Sequence, residues 1–235
     1  MASAVILAGG LGTRLRSAVP DLPKSMAPIN GRPFLEFQLN YWIDQGINRF
    51  VLSVGYRHEA IVKYFGTRYK GVTLDYVIEE RPLGTGGGVL LAVEKAGFDS
   101  PFLLLNGDTY FAADWTALNA YALAQDADWC FSLFRTNEQG RYMGLEVSPE
   151  KRIMSMQSGN TGGSRLANGG VYWVHPRALQ GCRFSSGGKK ASLEDDIFPA
   201  ALASGQRLFG IEFSGTFIDI GVPDDYRRAA SLLVV

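Results

Sequence analysis

Cysteine and histidine are scarce, with two of each in 235 residues. Cys130 and Cys182 stand in unrelated contexts without C-x-x-C spacing, which excludes a disulfide framework and leaves two reduced, buried thiols as the expectation. His58, at the start of a helical pattern, and His175, before a proline, read as surface residues rather than catalytic bases. Charge of one sign is also lacking. The 23 basic and 23 acidic side chains cancel, so no global field draws the protein to nucleic acid or an anionic membrane, and any phosphate site must be local. No apolar run approaches the ~18 residues that suggest a membrane span. The first seven residues lack a basic n-region, and a cytoplasmic location is the expectation. There is no internal repeat. The G-x-G-x-x-G and G-x-x-x-x-G-K-[ST] spacings are both absent, which disfavours a dinucleotide-dependent oxidoreductase and a P-loop.

Glycine, by contrast, is plentiful, and its placement is informative. Leu7-Ala8-Gly9-Gly10-Leu11-Gly12-Thr13-Arg14-Leu15 begins as the apolar run 4–7 ends. Three glycines in four residues let consecutive amides turn toward one anion. Arg14 adds a guanidinium able to bridge two phosphate oxygens, and Lys24, after Pro23, a compact mobile charge. A plain glycine turn with two surface cations is the competing reading.

The remaining pattern is that of an α/β chain. Leu35, Leu39, Trp42 and Ile43 recur at helical spacing and stop at Gly46. A β-branched run at 49–54, an amphipathic segment to Phe65 and a strand at 72–78 follow. Phe102-Leu103-Leu104-Leu105 is unbroken and apolar, as a central parallel strand covered on both faces must be. This alternation predicts a doubly wound sheet. Ligands gather at the carboxyl ends of such strands, where the glycine turns lie. The second turn, Pro82-Leu83-Gly84-Thr85-Gly86-Gly87-Gly88, leads into a helix at 89–96, whose first amides are expected to face polar or anionic ligand atoms. A tight connection needing no ligand is the alternative.

Asn106-Gly107-Asp108 follows the apolar strand, and Asp219 follows Phe217-Ile218. Carboxylates at the mouths of buried strands need solvent, a partner or a cation. Two of them with phosphate oxygens match the way Mg²⁺ is held. Beyond residue 112 the pattern is less regular: strands at 129–134 and 170–174, an antiparallel pair at 145–147 and 153–156, and a terminal helix opened by Pro223.

The motifs occur in a fixed order: the glycine loop, Pro23-Lys24, Leu83-Gly84-Thr85-Gly86-Gly87, Asn106-Gly107-Asp108, Asn168-Gly169-Gly170-Val171-Tyr172 and Asp219-Ile220-Gly221. Each is weak alone, but the set resembles the sugar-phosphate nucleotidyltransferases from Ala4 to Tyr226. The resemblance implies one domain with a doubly wound, mostly parallel, Rossmann-like sheet and a small antiparallel sugar-binding elaboration. The nucleotide part is about 1–112 and the sugar part about 113–235. It implies transfer of a nucleoside monophosphate from a nucleoside triphosphate to a sugar 1-phosphate, with release of pyrophosphate.

By the same resemblance Arg14 and Lys24 are catalytic, and Asp108 and Asp219 hold Mg²⁺. Leu7, Ala8, Gly9, Gly10, Gly12, Thr13, Glu79, Glu80, Gly84, Thr85, Asn106 and Gly107 contact the nucleotide. Gly144, Glu146, Asn168, Gly170 and Glu194 face the sugar. For Glu194, a macrodipole-complementing acid in a helix first turn is the alternative. The run Met26-Ala27-Pro28-Ile29-Asn30 with Pro33-Phe34-Leu35-Glu36-Phe37 is similar to the heptose 1-phosphate guanylyltransferase branch. Glu79-Glu80 beside the second turn suits the N1–H and N2–H₂ edge of guanine. Mannose 1-phosphate, a pyrimidine nucleotide, or a non-catalytic nucleotide-sugar-binding regulator are the alternatives, and Arg14, Lys24, Asp108 and Asp219 all being present disfavours the last. Two departures stand out. Ser25 replaces the usual proline after the lysine, and Met156-Gln157-Ser158 lacks the family's acceptor-phosphate lysine, leaving Lys24 or Arg165 to supply that charge. Oligomeric state is left open, a homodimer included.

Overall fold

The computed structural model describes residues 2–10, 19, 21–138, 141–157, 166–180, 182 and 190–234. Strand β1 (Ser3–Leu7) is followed by a small hairpin of β2 (Pro28–Ile29) and β3 (Arg32–Pro33), which feeds α1 (Phe34–Asp44). Next come β4 (Arg49–Val54), α2 (His58–Phe65), β5 (Arg68–Tyr69), β6 (Val72–Ile78), α3 (Gly84–Ala96) and β7 (Phe102–Asn106). Short β8 (Thr109–Phe111) and α4 (Trp115–Ala124) precede β9 (Trp129–Arg135), β10 (Gly144–Val147), β11 (Ile153–Gln157) and β12 (Leu166–Val174). The chain ends with α5 (Phe198–Ala203), β13 (Leu208–Glu212), β14 (Phe217–Asp219) and α6 (Pro223–Leu232).

In the main sheet β7, β1, β4 and β6 are parallel neighbours. The far edge of β7 takes β12 antiparallel, and β12 carries β9 and β10. The sheet is therefore parallel at its centre and mostly antiparallel on the side built from the second half of the chain, as the family resemblance implied, although β13 runs parallel to β9 there.

The period of two along β7 explains its unbroken apolar run. Leu103 and Leu105 enter the core on one face with Phe50, Leu52 and Trp42, while Phe102 and Leu104 enter the other with Val5, Val89 and Phe131. Leu104 is fully buried. Leu104→Ala is expected to cost about 2–5 kcal/mol, since the removed methyls leave a cavity that flanking strands cannot fill; a chemical denaturation midpoint measures it. A third, smaller cluster joins Ile29, Phe34, Ile218, Ile220 and Ala229. Because Ile218 and Ile220 are buried in it, the intervening Asp219 is turned the other way.

Cys130 lies in the core as expected, and burial pushes its thiol up to about 12. Cys182 is only partly covered, a departure from the expected burial of both. Strands β8 and β14 escaped the sequence pattern because they are three residues each, too short to show a period; β13, of five residues, was not read from the sequence either. No helix among the described residues is long and apolar enough to cross a membrane.

Candidate active site

The strand order β6-β4-β1-β7 reverses direction of growth at β1, the topological position at which open α/β sheets bind ligands. A cavity of about 820 Å³ opens there. Its floor is made by Leu7, Ala8, Gly9 and Gly10 after β1, and by Asn106, Gly107 and Asp108 after β7. These two loops touch through their backbones: the Gly107 N–H donates to the Leu7 carbonyl at 3.2 Å. A Cβ on Gly107 would lie 2.3 Å from that oxygen and 3.0 Å from the Ala8 Cα, so no other residue fits. Gly12, Thr13, Arg14 and Arg165 lie outside the described residues, as does Ser158.

The two carboxylates expected to act together are brought together. Asp219 pairs across from Thr109 in the β8–β14 ladder, and the Ile220 N–H donates to the Asp108 carbonyl at 2.9 Å. Lys24 Nζ donates to Asp108 Oδ2 at 2.5 Å. The Gly221 N–H donates to Asp219 Oδ1 at 2.6 Å. Burial, and next the neighbouring Asp108 charge, raise the Asp219 carboxyl above the ordinary carboxylate range, with Lys24 opposing. Among the described residues Lys24 and, more weakly, Arg141 oppose these two carboxylates, and the residual repulsion favours a further cation.

Glu79 and Glu80, adjacent in sequence, separate. Glu79 lines the cavity, where its Oε1 accepts from Ser53 Oγ and its Oε2 from the Leu83 N–H, both at 3.0 Å. Glu80 is exposed and outside the lining. The second glycine stretch is the first turn of α3 itself rather than a loop before it. Two of its amides are engaged by the facing segment, Gly86 and Gly87 N–H both donating to the Ala191 carbonyl at 2.9 and 3.2 Å, while Gly84 and Thr85 line the cavity.

The facing wall comes from the second half of the chain. Lys190, Ala191, Ser192, Glu194, Asp195 and Asp196 line it, and Glu194 accepts hydrogen bonds from Thr85 and Ser192. The segment forms a wide helical turn closed by Ile197 N–H to Ser192 carbonyl at 3.1 Å. Lys190 was missed by the sequence reading. Its only signal was a lysine pair just before the Ser192-Leu193-Glu194 motif.

The other sugar-side candidates do not line this cavity. Gly144 is buried in the β10 ladder opposite Gln157 and Ala167. Glu146 is exposed, accepting from Ser155 Oγ at 2.7 Å. Asn168 donates to the Tyr172 hydroxyl and accepts from the Gly170 N–H, at 2.7 and 3.1 Å. Gly170 packs against Asn106, so both sit one layer behind the floor.

Comparison with known proteins agrees with this architecture. The chain matches the model for the nucleotidyl transferase family over residues 3–234. It is 39% identical over 226 residues to D-glycero-alpha-D-manno-heptose 1-phosphate guanylyltransferase of Aneurinibacillus thermoaerophilus, covering 96% of each chain. To the enzyme of the same name from Campylobacter jejuni it is 35% identical over 95% of this chain and 96% of that one. The crystal structure of HddC from Yersinia pseudotuberculosis complexed with GMP-PN superposes with a TM-score of 0.83 at 33% identity, over 98% of this chain and 99% of that one. A family match that runs almost end to end, on a sheet whose switch point carries the glycine loop, Lys24 and the paired aspartates, assigns this chain to the nucleotidyl transferases.

Proposed function

We propose that this protein transfers GMP from GTP to a heptose 1-phosphate, D-glycero-α-D-manno-heptose 1-phosphate, releasing pyrophosphate. The observation that carries the reading is one cavity joining a glycine-rich anion floor, a lysine beside two carboxylates and an acidic facing wall, in a chain 39% identical to an enzyme of that name.

The chemistry needs no general base, because a phosphate monoester is largely ionised at neutral pH. No histidine lines the cavity among the described residues. An oxygen of the sugar 1-phosphate attacks the α-phosphorus of GTP, and the bond to the bridging oxygen breaks as pyrophosphate departs. Catalysis then rests on alignment and on neutralising charge. The amides of Gly9 and Gly10 hold phosphate oxygens, and Lys24 neutralises charge growing on the pentacoordinate phosphorus.

Asp108 and Asp219 suit Mg²⁺. Both offer hard oxygen donors, and burial together with the Asp108 charge raises the Asp219 carboxyl, a cost that a bound divalent cation would offset. Bound there, Mg²⁺ would supply charge neutralisation on the triphosphate. Lys190, on the facing wall, stands in for the lysine missing after β11 and offers its charge to the acceptor phosphate.

The test is pyrophosphate release with GTP, ATP, UTP and CTP against heptose, mannose and glucose 1-phosphates. GTP with the heptose ester should be fastest; preference for another pair overturns the substrate assignment. Guanine is read by Glu79, the one member of the glutamate pair in the lining. Glu79→Gln should lower the preference for GTP over UTP roughly tenfold, because a charged acceptor for two donors is lost. Glu80→Gln should leave that preference within about twofold, as expected of an exposed side chain outside the lining. A competition assay measures both.

A further inference from the structure

The hydroxyl of Thr85 sits in the turn that the sequence motif devotes to nucleotide, yet its bonds run across the cavity. Its Oγ1 accepts from the Leu193 N–H at 2.8 Å and donates to Glu194 Oε2 at 3.1 Å. A hydroxyl has one proton to give, and here it is given to Glu194. Ser192 Oγ donates to the same Oε2 at 3.1 Å, so two hydroxyls fix one oxygen of the carboxylate. Among the described residues Glu194 Oε1 accepts no hydrogen bond, although Glu194 lines the cavity.

The backbone reinforces this latch. The Ala191 carbonyl takes two α3 amides, and the Ala191 N–H donates to the Leu83 carbonyl at 2.8 Å. Gly84, at φ 76°, would place a Cβ 2.4 Å from the Ala191 oxygen, so the two segments are in contact at main-chain distance. The wall so held presents the carboxylates Glu194, Asp195 and Asp196. With three carboxylates against Lys190 the wall is net acidic, so it disfavours a triphosphate and accepts hydroxyl donors, as the side for the polyhydroxylated part of the acceptor must.

We infer that Thr85 is a positioning residue for the acceptor sugar: by fixing Glu194 Oε2 it aims Oε1 at a hydroxyl of the sugar 1-phosphate. The inference rests on the transferase reading above. Thr85→Val keeps the branched shape and removes both hydrogen bonds. It should raise KM for the sugar 1-phosphate roughly tenfold, the loss of an oriented bond to a charged group, while KM for GTP stays within about twofold. Thr85→Ser, which keeps the hydroxyl, should restore the acceptor KM. Glu194→Gln should raise the acceptor KM in the same way, and the double variant should be no worse than Glu194→Gln alone, because the two residues act as one unit. Calorimetric binding of the sugar 1-phosphate to each variant gives a readout independent of turnover and should follow the same order. A rise in KM for GTP with the acceptor KM unchanged, failure of serine to rescue, or additive losses in the double variant would each overturn the inference. Absence of pyrophosphate release by the unaltered protein with every substrate pair is the separate result that overturns the transferase reading and the inference with it.

Discussion

Asp219→Asn is expected to lower kcat by about 10²–10³-fold, the usual cost of removing one electrostatic contact to a transferring phosphoryl group. Folding should not suffer in the absence of divalent ions. Burial and the Asp108 charge already disfavour the ionised form of Asp219, so a neutral amide relieves repulsion in the native state. Asp219 differs from an ordinary stabilising carboxylate in sign. A carboxyl whose folded value is raised costs stability above that value, and the cost fades as pH falls toward the unfolded value. The variant should therefore match or exceed the parent in thermal midpoint near neutral pH, with the gap closing in acid. Added Mg²⁺ should raise the midpoint of the parent and leave that of the variant little changed. Asp108→Asn should lose activity similarly and also free Lys24 from its 2.5 Å partner. Full turnover of either variant, or full turnover of the parent in excess chelator, would refute the paired-carboxylate assignment.

Gly107→Ala is expected to be nearly as damaging by a different route. The added Cβ would meet the Leu7 carbonyl oxygen at 2.3 Å and the Leu7 carbonyl carbon at 2.8 Å. Both belong to backbone, so no side chain can swing aside, and the loops after β1 and β7 must separate. Forced overpacking of this kind costs about 1–3 kcal/mol or somewhat more. The separation also moves the glycine floor relative to Asp108, and a displacement of about 1 Å at a reacting centre can cost ~10² in rate. Gly10→Ala is the stability control, since a Cβ there meets nothing within 4 Å among the described residues. Denaturation midpoints of the two variants should differ clearly. Equal midpoints would show that the loops can part without cost.

The elements of the central sheet were legible because each is specified by its own residues. The apolar run of β7, the helical spacing of Leu35, Leu39 and Trp42 and the β-branched run at 49–54 are local patterns, and burial on one face or two imposes them directly. Of the described glycines in the first loop, Gly9 has a neighbour that excludes a Cβ, Glu79 Oε1 at 2.4 Å, whereas Gly10 has none among the described residues. The ordered motifs likewise led to the family that the end-to-end match establishes.

What the sequence could not decide were relations between segments far apart in the chain. Asp108 and Asp219 meet through the β8–β14 ladder, whose strands are too short to show a period, and the meeting is fixed by Ile218 and Ile220 entering a separate small core. Glu79 and Glu80 look alike in sequence, but the end of β6 turns one toward Ser53 and Leu83 and the other to solvent. The first amides of α3 read alike as a ligand site, but the Ala191 carbonyl occupies those of Gly86 and Gly87. Hydrogen-bond partners and pKa values depend on distance in space, and local residue patterns carry no record of it. The sequence by itself determined the central strands and the residue types available for phosphate chemistry; the tertiary structure alone decided which carboxylates, cations and amides face one another, because long-range packing sets those distances.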